Sequence, residues 1–230
     1  MSERIWNILV EGFVKIMLAS IKVTIPLTVL GFSFAMIIAM FMALVQYAKV
    51  PVLRQLSRLY IWIFRGTPLL VQLYLAYFGL PKIGIVLNSF LCAVVVFSLN
   101  EGAYCAEIMR SALEAVPEGQ MEAGYCVGMN YLQIMRHVVI PQALRTAFPP
   151  LSNSVIAMLK DTSLVAEITV ADMFMAAQKI VGRTYEPLWL YCEVALIYLF
   201  FSTILTFVQR YFEKRLSAYN SRTTEVRTQE

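Results

Sequence analysis

Apolar residues gather into five long blocks along the 230-residue chain, separated by short segments rich in polar residues, glycine and proline. A helix that crosses a bilayer needs about 20 mostly apolar residues. The blocks 23–47, 59–80, 86–109, 148–174 and 188–208 meet that length. The pattern predicts an all-α integral membrane protein with five transmembrane helices. Residues 1–22 form an extracytoplasmic or interfacial segment, 23–208 the membrane domain, and 209–230 a polar cytoplasmic tail. Residues 110–147 form a cytoplasmic loop within the membrane domain. The first block is longer than the apolar stretch of about 7–15 residues in a cleaved signal peptide, and no small-x-small site closes it, so it is expected to be retained.

Composition agrees with this. The chain is 59% hydrophobic and only 15% charged, whereas a soluble domain carries about 25% charged residues. Its net charge of +4 is spread out, without the basic cluster that nucleic acid requires. Positive residues set orientation, because short loops rich in Lys and Arg stay cytoplasmic. Lys49, Arg54, Arg58, Arg110, Arg136 and Arg145 fall on one side, together with the tail residues Arg210, Lys214, Arg215, Arg222 and Arg227. Arg4, Lys15, Lys82, Lys179 and Arg183 fall on the other. The N-terminus is therefore expected outside and the C-terminus inside. Trp6, Trp62 and Trp189 lie near predicted span ends, where interfacial aromatics collect.

One segment departs from the apolar plan. "EAGYCVGMNYLQIMRHVVIP" (122–141) is polar, amphipathic and broken by glycine. Pro117 suits the first position of a short helix, with Glu118 near the positive end of its dipole. Gly128 is a natural stop. Asn130 can cap a second helix, and Gln133, three residues on, can reach back as in a capping box. Leu132, Met135 and Val139 share one face of that helix, while Gln133, Arg136 and His137 lie elsewhere. Pro141 ends it or opens the next segment. Two readings follow: a surface helix in the headgroup layer, or a rigid lever for a cytoplasmic partner.

The residues Glu122, Ala123, Gly124, Gly128, Val138, Ile140 and Pro141 together resemble the EAA loop of ATP-binding-cassette (ABC) importer permeases. Gly124 stands where the family usually has Ala, and Val138 and Ile140 stand for Ile and Leu. "FRGTPLLVQLYLAYFGLP" (64–81), "GAYCAEIMRSALEAVPEGQ" (102–120), "IPQALRTAFPPLSNS" (140–154) and "LKDTSLVAEITV" (159–170) are similar to the polar-amino-acid group of that family. The likeness covers roughly residues 15–215. "YFGLPKIGIVL" and "FMAAQKIVGRTYE" look most like cystine permeases, with histidine, glutamine, arginine and glutamate as other solutes. The resemblance implies a type I importer fold and a loop, including Arg136 and His137, seated in a groove of a separate ATPase. It also implies two ATPase subunits that hold ATP and magnesium, a second permease subunit, an extracytoplasmic solute-binding protein and surrounding lipid. No cofactor is expected on this chain.

Ionisable groups within the predicted spans cost about 2.5–3.5 kcal/mol each on insertion scales and so draw attention. They are Arg65, Glu101, Lys160 and Asp161. Their charges cancel, which would suit a zwitterionic amino acid. Thr67 can cap a helix starting at Pro68, and Asp161 one continuing through Thr162 and Ser163. Gln72 and Asn153 complete this candidate pathway. Arg65 or Lys160 would favour a carboxylate and Glu101 an ammonium group; a structural pairing of Lys160 with Glu101 is the competing reading. Residues 172–186 suggest a short outer helix, which either packs over the spans or meets a binding protein.

Enzymatic chemistry has little to rest on. His137 is the single histidine, and Cys92, Cys105, Cys126 and Cys192 are widely spaced. "GQMEAGYC" (119–126) has the glycine spacing of a phosphate loop but places Tyr125 and Cys126 where Lys and Ser or Thr are required. An ion-coupled transporter, with Glu101 binding the coupling ion, is the remaining alternative.

Overall fold

The computed structural model describes residues 3–48 and 51–227, with side chains as far as residue 215. Every regular element among them is helical. Helix α1 (Glu3–Ala19) runs through a π-turn, Ser20–Thr24, into α2 (Ile25–Tyr47). Then come α3 (Pro51–Gly66), α4 (Leu69–Tyr74), α5 (Ser89–Glu114), α6 (Glu118–Cys126) and α7 (Tyr131–Ile134). Helix α8 (Ile140–Asp161) passes into a 3-10 turn (Thr162–Ile168), followed by α9 (Met173–Thr184) and α10 (Pro187–Arg227).

Three of these helical stretches are long and apolar enough to cross a membrane: Glu3–Tyr47, Ser89–Glu114 and Pro187–Arg215. A fourth is available if α3 and the segment Leu69–Ile83 act as one broken span, bent by 103°. The sequence expectations need correction at several places. The first helix starts at Glu3 rather than near residue 23, because Pro26 sits at the start of α2 and deforms the helix without ending it. The second block is broken where the sequence predicts a helix to start, after Pro68, and that expectation stands. Helix α8 begins at Ile140, eight residues before position 148, continuing the helical path from Tyr131, and is not long and apolar enough to count as a span.

Proline explains the widened turns. All three π-turns, Ser20–Thr24, Leu75–Gly79 and Met135–Val139, stop two residues before a proline: Pro26, Pro81 and Pro141. A proline inside a helix has no N–H to donate, and its ring clashes with the carbonyl four residues back. Widening the preceding turn by one residue moves that carbonyl aside. The residue before each proline then donates to the carbonyl five residues back, Ile25 to Ser20, Leu80 to Leu75 and Ile140 to Met135. Pro149 and Pro150 lie inside α8 without such a turn.

The most extensive helix pair is α2 with α5. Gly31, Ala35, Ala39 and Ala43 form a stripe of buried small residues four apart on α2. Small residues let two backbones approach closely where apolar packing has no water to exclude. A β-carbon on Gly102 of α5 would lie 3.1 Å from Ile38 and 3.0 Å from the Tyr60 hydroxyl, so α2, α3 and α5 meet there. Large apolar side chains face outward, including Ile37, Trp62 and Leu196. An exterior of that kind belongs against lipid.

Candidate functional site

The segment 117–141 folds into an elbow. Pro117 is extended and stands just before α6, so it caps the helix rather than opening it. Gly128 adopts φ +80°, and Met129 donates its N–H to the Gly124 carbonyl, closing α6 in a left-handed turn. Asn130 accepts from the Gln133 N–H at 3.0 Å, and Gln133 accepts from the Asn130 N–H at 2.8 Å. This reciprocal cap satisfies donors at the start of α7. Pro141 opens α8, and α7, the π-turn and α8 form one uninterrupted helical path.

The elbow is rooted in the bundle. Ile134, Met135 and Val139 are buried in one cluster with Ala39 and Ala43 of α2 and Met109 and Leu113 of α5. Gly124 is buried against Ile134: a β-carbon at Gly124 would lie 2.6 Å from Ile134 Cγ1. Glu122, Ala123, Arg136 and His137 remain exposed. His137 Nδ1 lies 3.0 Å from the Gln133 carbonyl, which holds its ring along the helix. A force applied to the exposed edge would thus reach α2 and α5 through a packed seam. Leu132, expected to share a face with Met135 and Val139, is 76% exposed while those two are buried. The one-residue widening before Pro141 rotates the helix faces between α7 and α8.

The intramembrane candidates are scattered. At the break between α3 and α4, Pro68 is extended and its side chain caps nothing. Thr67 is not a cap; its hydroxyl donates to the Ile63 carbonyl at 2.9 Å. Gln72 Nε2 donates to Thr67 Oγ1, to the Thr67 carbonyl and to the Phe64 carbonyl. Asn100, buried on α5, donates to the Phe64 carbonyl at 3.2 Å and to Gln72 Oε1 at 3.0 Å. Two amide side chains therefore hold the carbonyls that the bend leaves open. Sequence reasoning missed Asn100, whose partners lie 28 and 36 positions away. The Arg65 guanidinium lies over the Tyr104 ring, 5.3 Å from its centre.

Glu101 is half-buried on α5 and accepts from Cys105 Sγ at 3.7 Å. The expected pairing of Lys160 with Glu101 is absent: no ion pair joins Arg65, Glu101, Lys160 or Asp161 among the described residues. Asp161 does not cap, because the chain passes from α8 into the 3-10 turn with its backbone still helical. Thr162 is buried and donates to the Leu159 carbonyl. Lys160 and Ser163 share a cavity with Tyr191 and Ser202 of α10. Asn153 lies elsewhere and accepts from Gln209 of α10 at 3.2 Å. A single chain thus brings Thr67 to Gln72 and Lys160 to Ser163, but does not assemble all nine residues.

An unforeseen cap lies at α9. Asp172 is fully buried and accepts from the Phe174 and Met175 backbone N–H groups. An Asp just before an apolar run was the available signal. Helix α9 packs on α1 and α10, with Met173 and Ala177 buried.

Comparison with known proteins decides what this arrangement belongs to. Residues 31–218 match the family described as "Binding-protein-dependent transport system inner membrane component". The chain belongs to this family. The L-cystine transport system permease protein TcyB of Bacillus subtilis (strain 168) is 43% identical over 215 residues, 93% of this chain and 92% of that protein. The arginine transport system permease protein ArgU of Corynebacterium glutamicum is 37% identical over 89% of this chain and 69% of its own. A crystal structure of an amino acid ABC transporter with histidines superposes with TM-score 0.80 at 33% identity, covering 91% of this chain and 94% of that one. The permease is therefore a multi-pass inner-membrane subunit of an ABC amino acid importer and not itself an enzyme. Membership implies ATPase and solute-binding partners. It sets aside the ion-coupled transporter reading.

Proposed function

We propose that this permease carries L-cystine inward, driven by ATP hydrolysed on two ATPase subunits seated under the α6–α7 elbow. Two permease subunits enclose the path, each crossing the membrane five times with its N-terminus outside and its C-terminus in the cytoplasm. ATP and magnesium stay on the ATPases, and an extracytoplasmic binding protein delivers the solute. Glu122, Ala123, Gly124, Gly128, Arg136, His137 and Pro141 make or shape the docking elbow.

The observation that carries this reading is the construction of the elbow: capped at both turns, exposed along one edge and anchored in the α2–α5 core. A helix lying loosely in the headgroup layer would need no such anchor. The solute is supported by the end-to-end likeness to a cystine permease.

Reconstitution tests it. Proteoliposomes holding permease, ATPase and loaded binding protein should accumulate labelled L-cystine only with ATP inside the ATPase compartment. Histidine, arginine, glutamine and glutamate should compete at least tenfold less well. Accumulation without ATPase under an ion gradient would overturn the mechanism, and preferred uptake of another of these solutes would overturn the solute assignment.

A further inference from the structure

A polar recess of ≈ 350 Å³ opens between the first turns of α3 and the last turns of α5, and no role in solute transfer or coupling has been given to it. Its walls carry Arg54 and Arg58 from α3, one turn apart, and Glu107, Arg110 and Glu114 from α5. Arg110 is bound to both Glu107 and Glu114, so these three satisfy one another. Arg54 and Arg58 have neither a hydrogen bond nor an ion pair among the described residues. Three arginines against two glutamates leave the recess at +1. Gln46 at the end of α2 forms part of the lining, is only 7% exposed, and its Nε2 donates to nothing. An amide donor buried without a partner costs about 1–3 kcal/mol. The recess therefore offers two free guanidinium groups and an unmet amide donor, a donor set that suits a phosphate oxygen.

The surroundings decide where such a phosphate comes from. Trp62 also lines the recess and is 72% exposed. It lies four residues beyond Arg58, a rise of about 6 Å. The headgroup layer on each side of a bilayer is about 5–8 Å thick. Arg58 and Trp62 thus match a phosphate and the acyl boundary below it. Next to Trp62 around α3, Leu59 and Ile63 are apolar and exposed, at 51% and 43%. That face accommodates acyl chains, and clusters of basic residues at span ends draw anionic lipid.

We infer that the α2–α3–α5 corner is a binding site for the phosphate headgroup of an anionic phospholipid, held by Arg54 and Arg58 beside Gln46 with its acyl chains along Leu59, Trp62 and Ile63. The site depends on the chain lying in a membrane, not on which solute it carries or which leaflet the corner faces. A lipid here would tie α3, the helix leading to the 103° bend, to α5.

The test uses the permease assembled with its ATPase, purified in neutral detergent and titrated with phosphatidylglycerol, phosphatidylcholine or inorganic phosphate under native mass spectrometry. Phosphatidylglycerol should bind at least fivefold more tightly than phosphatidylcholine. Arg54→Gln with Arg58→Gln should remove that preference, Arg54→Lys with Arg58→Lys should keep it, and Arg183→Gln at the far end of α9 should leave it unchanged. Arg58→Gln alone should show part of the loss if the double variant does not assemble. Equal binding of the two lipids overturns the assignment, as does full retention by the double Gln variant. Inorganic phosphate displacing the lipid with the same arginine dependence would make the recess a free-anion site and overturn it too.

Discussion

At the scale of single residues, Gly124 marks where the elbow is tightest. Its β-carbon position is 2.6 Å from Ile134 Cγ1, closer than side chains tolerate. Gly124→Ala must therefore push α6 off α7, and overpacking of this kind costs about 1–3 kcal/mol. We expect a lower melting temperature and ATP-driven uptake reduced several-fold, with Ile134→Ala, which removes Cγ1, on the same chain restoring uptake. Uptake unchanged by Gly124→Ala would show that the seam does not transmit force. The Asn130–Gln133 cap was legible in the sequence because both partners lie three positions apart. The Gln72–Asn100 contact spans 28 positions and depends on how α4 meets α5, so local pattern says nothing of Asn100. Removing either amide leaves carbonyls at the bend open. Gln72→Leu and Asn100→Leu should each cost about 1–3 kcal/mol. Together they should cost less than the sum, by about 0.5–3 kcal/mol, because they share Phe64. Additive melting shifts in that double-mutant cycle would dissolve the pair.

At the scale of elements, apolar runs located the long helices well and their joints badly. A run reports that a segment is helical and lipid-compatible; it does not report a bend or a widened turn inside it. Gly66, Thr67 and Pro68 carried the break signal and gave its position, but not its 103° angle or the true partner of the Thr67 hydroxyl. Pro26 and Pro141 looked like boundaries but are absorbed by π-turns, which is why α1 joins α2 and the elbow joins α8. Pro141 gives a direct test. With Pro141→Ala the missing N–H returns and the clash with the carbonyl of His137 disappears, so the π-turn can close to an ordinary one. Loss of one residue from the turn rotates α8 by about 100° against α7, or forces the elbow to swing by that amount. The protein should still assemble while ATP-driven uptake falls, and a spin-label pair on α7 and α8 should report a changed separation. An unchanged separation would mean that packing of Val139 and Met135, rather than proline, fixes the wide turn.

At the scale of the whole molecule, orientation links the elbow to its engine. Lys and Arg counts predict residues 122–141 inside, and the native cysteines provide a probe of that expectation. Cys92 and Cys105 are fully buried, whereas Cys126 and Cys192 are exposed. Cys126 ends α6, on the outward side of the elbow. Cys192 lines an apolar groove between α1 and α10 and should react poorly with a charged reagent. In a Cys192→Ser background, a membrane-impermeant maleimide should label Cys126 in inside-out vesicles and not in right-side-out spheroplasts. Adding the ATPase subunits should slow that labelling at least fivefold, since Glu122 lies one helical turn from Cys126 on the exposed edge. Labelling in spheroplasts would place the elbow outside, where no ATPase can reach it, and the coupling scheme would fail. Labelling inside without protection would leave the topology intact and reject the docking, because a groove that grips this edge must shield the thiol beside it.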